Sequence, residues 1–297
     1  MMNRGVLAGI GAYLIWGFLP IYLKALQVVP SFQIMLHRLV WSFLFVMLLI
    51  FLRREWPQFR SSIASRRVFL IYSLTAVLLA SNWLIYIYGV NSGQVIETSL
   101  GYFINPLLNV ALGVVILRER LRPMQWLPIG LAAVGVLYLT LQYGSLPWIA
   151  LALAFTFGMY GLIKKIAPLG SLHGQTLETG ILFIPAVIYL VFAENQGFGA
   201  FGHQGSTVTL LLAFAGVVTA LPLLLFGYAA RTIPLSLLGI LQYIAPTFQF
   251  LLGVYLFQEP FTTTRLVGFA FIWFALLIFS LEGFYARRKQ TAAAPAA

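Results

Sequence analysis

Two ionisable side chains interrupt long apolar stretches of this 297-residue chain: Arg38, in HRLVWS, and Glu178, in QTLETG. A charge inside an apolar slab costs at least roughly 2.5–3.5 kcal/mol, so each is expected to face water, an opposite charge or a bundle interior. On that reading Arg38 suits an anionic substrate or a gate, and Glu178 a cation or proton site. Both also lie close to the ends of their stretches, from where they would snorkel to an interface.

A second pattern is uncharged. Thr98, Tyr102, Asn105 and Asn109 follow one another at spacings of four, three and four. On a helix that spacing confines them to an arc of roughly 60°. Gln242 and Gln249 repeat the positions of Tyr102 and Asn109 farther along the chain. Such stripes turn away from lipid, either to line a cavity or to hydrogen-bond between helices. Pro106 and Pro246 sit on the same two segments. Each removes a backbone bond to the carbonyl four residues earlier, that of Tyr102 or Gln242, and is a hinge candidate. Tyr13 and Trp16, and likewise Asn82, Trp83 and Tyr86, stand near helical spacing, as for an aromatic cage or an interfacial belt. The cavity candidates are therefore Arg38, Asn82, Tyr86, Tyr102, Asn105, Gln242, Gln249, Tyr13, Trp16 and Glu178.

Catalysis finds little footing here. The chain has no aspartate, no cysteine and three scattered histidines. It also lacks a phosphate-cradling glycine loop and metal-ligand spacing. No catalytic residue, metal site or cofactor is expected, and the protein reads as a non-enzyme. Glu119 and Glu259 end their segments at matched places and suit caps on the next helix or pairs with Arg118, Arg122 or Arg265. His173 and His203 fall in loops.

The elements that must position these residues are membrane helices. Hydrophobic residues make up 61% and charged ones 8%, against about a quarter charged in soluble domains. Apolar runs near the roughly 20 residues needed to span hydrocarbon fill the chain, and irregular backbone cannot face lipid. Ten helical spans are expected, at about 5–23, 33–52, 69–89, 97–117, 124–141, 146–163, 176–193, 208–228, 234–257 and 264–284. The first follows Arg4 without a small-residue cleavage site and reads as retained.

With both termini cytoplasmic, 15 of the 18 basic residues fall inside, two (Lys24 and Arg265) outside, and Arg38 within a span. That asymmetry follows the positive-inside rule, and it assigns the net charge of +11 to orientation instead of nucleic acid. The chain also repeats itself at an offset of 140. Ile104, Pro106, Leu112, Gly113, Val114 and Glu119 recur as Ile244, Pro246, Leu252, Gly253, Val254 and Glu259. Five spans per repeat is an odd number, so the copies enter the membrane from opposite sides. Residues 1–142 form the first repeat, 143–286 the second, and 287–297 a short cytoplasmic tail. Inverted repeats with a site at their interface mark many secondary transporters.

The segments YLIWGFLPIYLK (13–24), HRLVWS (37–42), NW (82–83), SLGYFINPLLNVALG (99–113), TALPLLLF (219–226) and LGILQYIAPT (238–247) occur here in that order. Together they resemble the EamA-domain proteins of the drug/metabolite transporter superfamily, in particular the RarD branch. The resemblance implies a ten-helix bacterial inner-membrane carrier with inverted five-helix repeats, exporting small organic metabolites or drugs. The branch is associated by name with chloramphenicol, and relatives in the superfamily move amino acids, sugars and nucleotide sugars. The expected partners are a small-molecule substrate, the lipid bilayer and a coupling proton or ion. A passive facilitator or channel, and a non-transporting membrane subunit or sensor, are the alternative classes. Substrate identity, direction and oligomeric state are not readable from the residues.

Overall fold

The computed structural model describes residues 4–63, 65–117, 123–143, 146–233 and 241–293. Every regular element among them is helical. In chain order these are α1 (Arg4–Ala25), α2 (Ser31–Leu52), α3 (Trp56–Ser62), α4 (Arg66–Asn91), α5 (Val95–Leu117) and α6 (Pro123–Tyr143). They continue as α7 (Trp148–Ile166), α8 (Ser171–Asn195), α9 (Ser206–Thr232), α10 (Ile244–Leu251) and α11 (Thr263–Ala293). A π-helical turn, Leu252–Leu256, extends α10.

Six of the described helices are long and apolar enough to cross a membrane, and three shorter apolar stretches accompany them: Trp126–Gln142, Trp148–Lys164 and Ile244–Leu256. Large apolar side chains point outward all round the bundle, among them Leu48, Leu141, Ile184, Leu210 and Tyr255. So much outward apolar surface is a lipid-facing coat, since soluble monomers keep such patches small.

Helix packing follows a regular scheme. α1 lies against α9 and α10, and α7 lies against α4 and α5. α2 packs on α8 and α9, α4 on α8, α5 on α10, and α6 on α11. Close approach depends on small residues. A side chain at Gly216 of α9 would strike the Trp41 carbonyl of α2, and one at Gly101 of α5 would come within 2.7 Å of the Ala150 carbonyl.

Two features differ from the sequence expectation. The amphipathic helix α3 stands between the second and third apolar helices, where a loop was expected. Its start is favoured by Pro57, whose fixed φ suits the first turn. The ninth span is not one continuous helix: a turn at 242–243 precedes α10, and a π-helical turn follows it. By contrast, α5 runs through Pro106 without interruption.

One end of the bundle is tied shut. This end carries the turns 26–30, 92–94, 146–147, 196–205 and 257–262. Leu26, Val29, Ile87, Val90, Val95, Ile149 and Leu212 are buried there in a single apolar cluster. Polar clamps surround the cluster. Gln33 donates to the Phe198 carbonyl at 2.9 Å and accepts from the Ala200 amide at 2.9 Å, which holds the 196–205 loop. Glu259 accepts from the amides of Val95 and Ile96, at 2.7 and 2.9 Å, and so caps α5. Glu97 accepts from the Ile149 amide at 3.1 Å and caps α7 in turn.

Candidate functional site

Beneath the apolar cluster lies a cavity walled by α1, α2, α4, α5, α7, α9, α10 and the turn before α10. Leu19, Leu79, Trp83 and Tyr86 belong to both, so the cluster is the cavity's roof. The cavity offers about 110 Å³ to the centres of water-sized molecules, several-fold the roughly 10–15 Å³ that one water needs.

Eight of the sequence candidates stand in its wall: Arg38, Asn82, Tyr86, Tyr102, Gln242, Gln249, Tyr13 and Trp16. Pro246 joins them, while Pro106 is not among the lining residues. Asn105 is fully buried on α5 but is not among the lining residues. The side chain of Asn109 lies outside the described residues, as do Glu119, Arg118 and Arg122.

Arg38 is 3% exposed. Its Nε donates to Thr219 Oγ1 at 3.0 Å, and its guanidinium lies 4.8 Å over the ring of Trp83. Nη1 has no hydrogen-bond partner among the described residues. The snorkelling alternative is thereby excluded for Arg38, because its head points into the bundle.

Asn82 organises the facing wall. Its Nδ2 donates to the Leu153 carbonyl at 3.1 Å and to Thr156 Oγ1 at 2.9 Å, and its Oδ1 accepts from Tyr102 at 3.2 Å. Tyr102 meets Tyr86 and Phe157 edge to face, with centroids 5.7 and 6.0 Å apart. Tyr86 is buried and its hydroxyl has no partner among the described residues.

A second aromatic group closes the far wall. Tyr13, Trp16 and Phe226 lie pairwise within 5.6–6.1 Å of one another, centroid to centroid. Gln249 donates to the Trp16 carbonyl at 3.0 Å, leaving its Oε1 without a donor among the described residues.

Glu178 is elsewhere. It pairs with Lys164 at 3.0 Å, with side chains 1% and 21% exposed respectively, and receives the Tyr160 hydroxyl at 3.4 Å. Lys164 also lies over the rings of Tyr72 and Tyr160. Sequence spacing alone did not bring Lys164 to Glu178, because the partners belong to different helices. His173, expected in a loop, stands instead in the first turn of α8, which begins earlier than its apolar run, and meets Glu55 at 3.0 Å. At the clamped end, burial pushes the Glu259 carboxyl up from the ordinary carboxylate range, while the two amides, Arg265 and Lys24 oppose that rise.

Thr219, Phe157, Leu223 and Phe226 line the cavity without having been singled out as candidates. Thr219 and Phe226 bound the TALPLLLF segment, so their signal was present as a motif. Phe157, an aromatic residue within an apolar run, carried none.

The EamA-like transporter family matches residues 3–141. Protein RarD of Streptomyces exfoliatus is 44% identical over 295 residues, covering 99% of this chain and 94% of its own. An uncharacterized transporter of Vibrio cholerae is 44% identical over 281 residues, with 95% and 93% covered. The chloramphenicol-sensitive protein RarD of Pseudomonas aeruginosa is 31% identical over 295 residues, 97% of each chain. One solved crystal structure shares the fold over 95% of this chain and 99% of its own, with a TM-score of 0.59 at 17% identity. Identity sustained along the whole length places the chain in the EamA-like transporter family, as a RarD-like permease of the drug/metabolite transporter superfamily.

Proposed function

We infer that this permease is a secondary-active carrier of the bacterial inner membrane, exporting small organic metabolites or drugs by alternating access. The observation that carries this reading is the buried cavity with hydrogen-bonding groups turned into it and a dry, clamped roof above it. A carrier needs a central site closed to one side at a time. The chloramphenicol-sensitive relative's name supports drug-like cargo as one class to test, with amino-acid-like solutes as another.

Ten spans in two inverted repeats fit the helices and their packing. Leaving α3 at the interface, the remaining ten helices span. The first residues of α2, α4 and α6 (Ser31, Arg66, Pro123) and of α8, α9 and α11 (Ser171, Ser206, Thr263) differ by 140 in each case. Exchanging the halves also maps the most extensive helix pairings onto one another: α1 with α9 and α10 becomes α7 with α4 and α5. α2 on α9 becomes α8 on α4, and α2 on α8, α5 on α10 and α6 on α11 map onto themselves. The charge asymmetry supports an orientation with both termini and α3 in the cytoplasm and the clamped end external. Alternating access on this plan is a rocking of the repeats around the cavity, with the break at 242–243 as a flexing point.

The test is solute counterflow in proteoliposomes holding the purified protein, with chloramphenicol, amino acids and small aromatic metabolites. Saturable exchange is expected. Linear, non-saturable flux would make the protein a facilitator. Absence of flux with folded protein across the panel would remove the carrier reading for these cargo classes.

A further inference from the structure

We propose that the cargo is an organic anion, a carboxylate on an apolar or aromatic body, held by Arg38. Its transport rests on the carrier reading above; its binding does not.

The chain has seven acidic residues, all glutamate. Five are engaged away from the cavity: Glu55 with His173, Glu178 with Lys164, Glu194 with His203, Glu97 at the Ile149 amide, and Glu259 at the amides of Val95 and Ile96. None of the described glutamates lines the cavity, and Glu119 lies outside the described residues. Arg38 is nevertheless there, and a guanidinium stays charged under all ordinary conditions. Thr219 and the face of Trp83 are neutral partners. The phenols of Tyr86 and Tyr102 in the same wall are neutral near pH 7. A buried cation without a counter-charge is strongly unfavourable, so this arrangement has a use for a negative charge that the described chain does not supply. A bound carboxylate supplies it.

The remaining groups define the rest of the ligand. Nη1 of Arg38 and the hydroxyl of Tyr86 are donors without acceptors among the described residues, and a carboxylate offers two oxygens. The Tyr13, Trp16 and Phe226 rings form an apolar bed for the body of the molecule. Gln249 Oε1 is an acceptor without a donor among the described residues, suited to a hydroxyl or amide N–H at the other end. A cationic solute would meet Arg38 with no carboxylate among the described wall residues to offset the repulsion. A neutral solute of the same shape would leave Arg38 uncompensated.

The experiment uses the full-length protein in detergent and in proteoliposomes. Its probes are matched sets of carboxylic acid, primary amide and amine on phenyl, phenylethyl and cyclohexyl bodies. Thermal stabilisation by each probe is measured on wild-type protein, on Arg38→Gln and on Arg38→Lys, and counterflow is measured for the same probes. In wild type we expect at least one acid to bind about tenfold or more tighter than its amide, with no binding of the amine. Arg38→Gln should erase that preference, and Arg38→Lys should keep part of it. Amides or amines binding as well as every acid, or no acid binding at millimolar concentration, overturns the proposal on wild-type data alone, whether or not the variants fold. Acid-selective binding without saturable exchange would uphold this assignment and sink the carrier reading. Saturable exchange that prefers amides or amines would do the reverse.

Discussion

Asn82 engages both halves of its amide. It anchors α4 to α7 through the Leu153 carbonyl and Thr156, and it orients Tyr102 through its carbonyl oxygen. Asn82→Ala strands several buried polar groups at once, so a loss of about 1–3 kcal/mol is expected. Tyr102→Phe deletes one hydrogen bond between helices, for which roughly 0.6 kcal/mol is typical in membrane proteins. Thermal unfolding of the two variants in one detergent checks the order. Equal losses would mean that Asn82 does not bridge the helices. At Glu178 the buried carboxylate and its half-buried lysine permit a comparison of another kind. Lys164→Met leaves the carboxylate without its cation, at a cost of about 3–5 kcal/mol. The double variant Lys164→Met, Glu178→Gln should recover most of that stability. If it is stable and still transports with unchanged dependence on a pH gradient, the pair is structural and Glu178 is not the coupling site.

At the scale of elements, the clamps are what close the roof. Glu259 reaches α5 because Gln258 takes a left-handed conformation (φ 53°) at the end of the π-helical turn, which folds the chain back. Gly253 permits the approach, since a Cβ there would come within 2.7 Å of the Ile96 side chain. Glu259→Gln replaces one acceptor oxygen with a donor, so it can serve only one of the two amides. Loss of a cap costs about 0.5–2 kcal/mol. A change of one or two kcal/mol shifts an opening equilibrium roughly 5–30-fold. The chain has no cysteine, so Leu26→Cys, at a residue fully buried in the roof, reports opening directly. Maleimide should modify it slowly in the otherwise native protein and several-fold faster with Glu259→Gln added. Unchanged rates would show that the clamp does not hold the roof. These elements also show where sequence reading stops. The long helices were readable because apolar runs with few charges have one solution in a bilayer. Arg38, Tyr102 and Gln242 were readable as inward-facing because polar groups shun lipid. A capping role for Glu259 was readable but its target, α5 instead of the helix that follows, was not, since the contact joins residues more than 160 apart in sequence. Nor was α3, whose seven residues are too short and mixed for a periodic signal.

At the scale of the whole molecule, the proposed inverted architecture makes a requirement that neither half meets alone. Ser92 and Thr232 stand 140 residues apart, the offset of the sequence repeat, at the C-terminal ends of α4 and α9, and both are exposed. If the repeats are inverted, these matched positions lie on opposite faces of the membrane. In parallel repeats they would share a face. Single replacements Ser92→Cys and Thr232→Cys in the cysteine-free chain separate the two cases. On the proposed orientation, a membrane-impermeant maleimide applied to intact cells should label Ser92→Cys, at the clamped end, and should reach Thr232→Cys only after permeabilisation. Ser61→Cys on α3 should behave as Thr232→Cys does, and Gln196→Cys in the 196–205 turn as Ser92→Cys does. The reverse pattern throughout would preserve the inversion and turn the protein over in the membrane, placing the clamped roof in the cytoplasm. Labelling of Ser92→Cys and Thr232→Cys from the same side would dissolve the repeat symmetry on which the rocking mechanism depends.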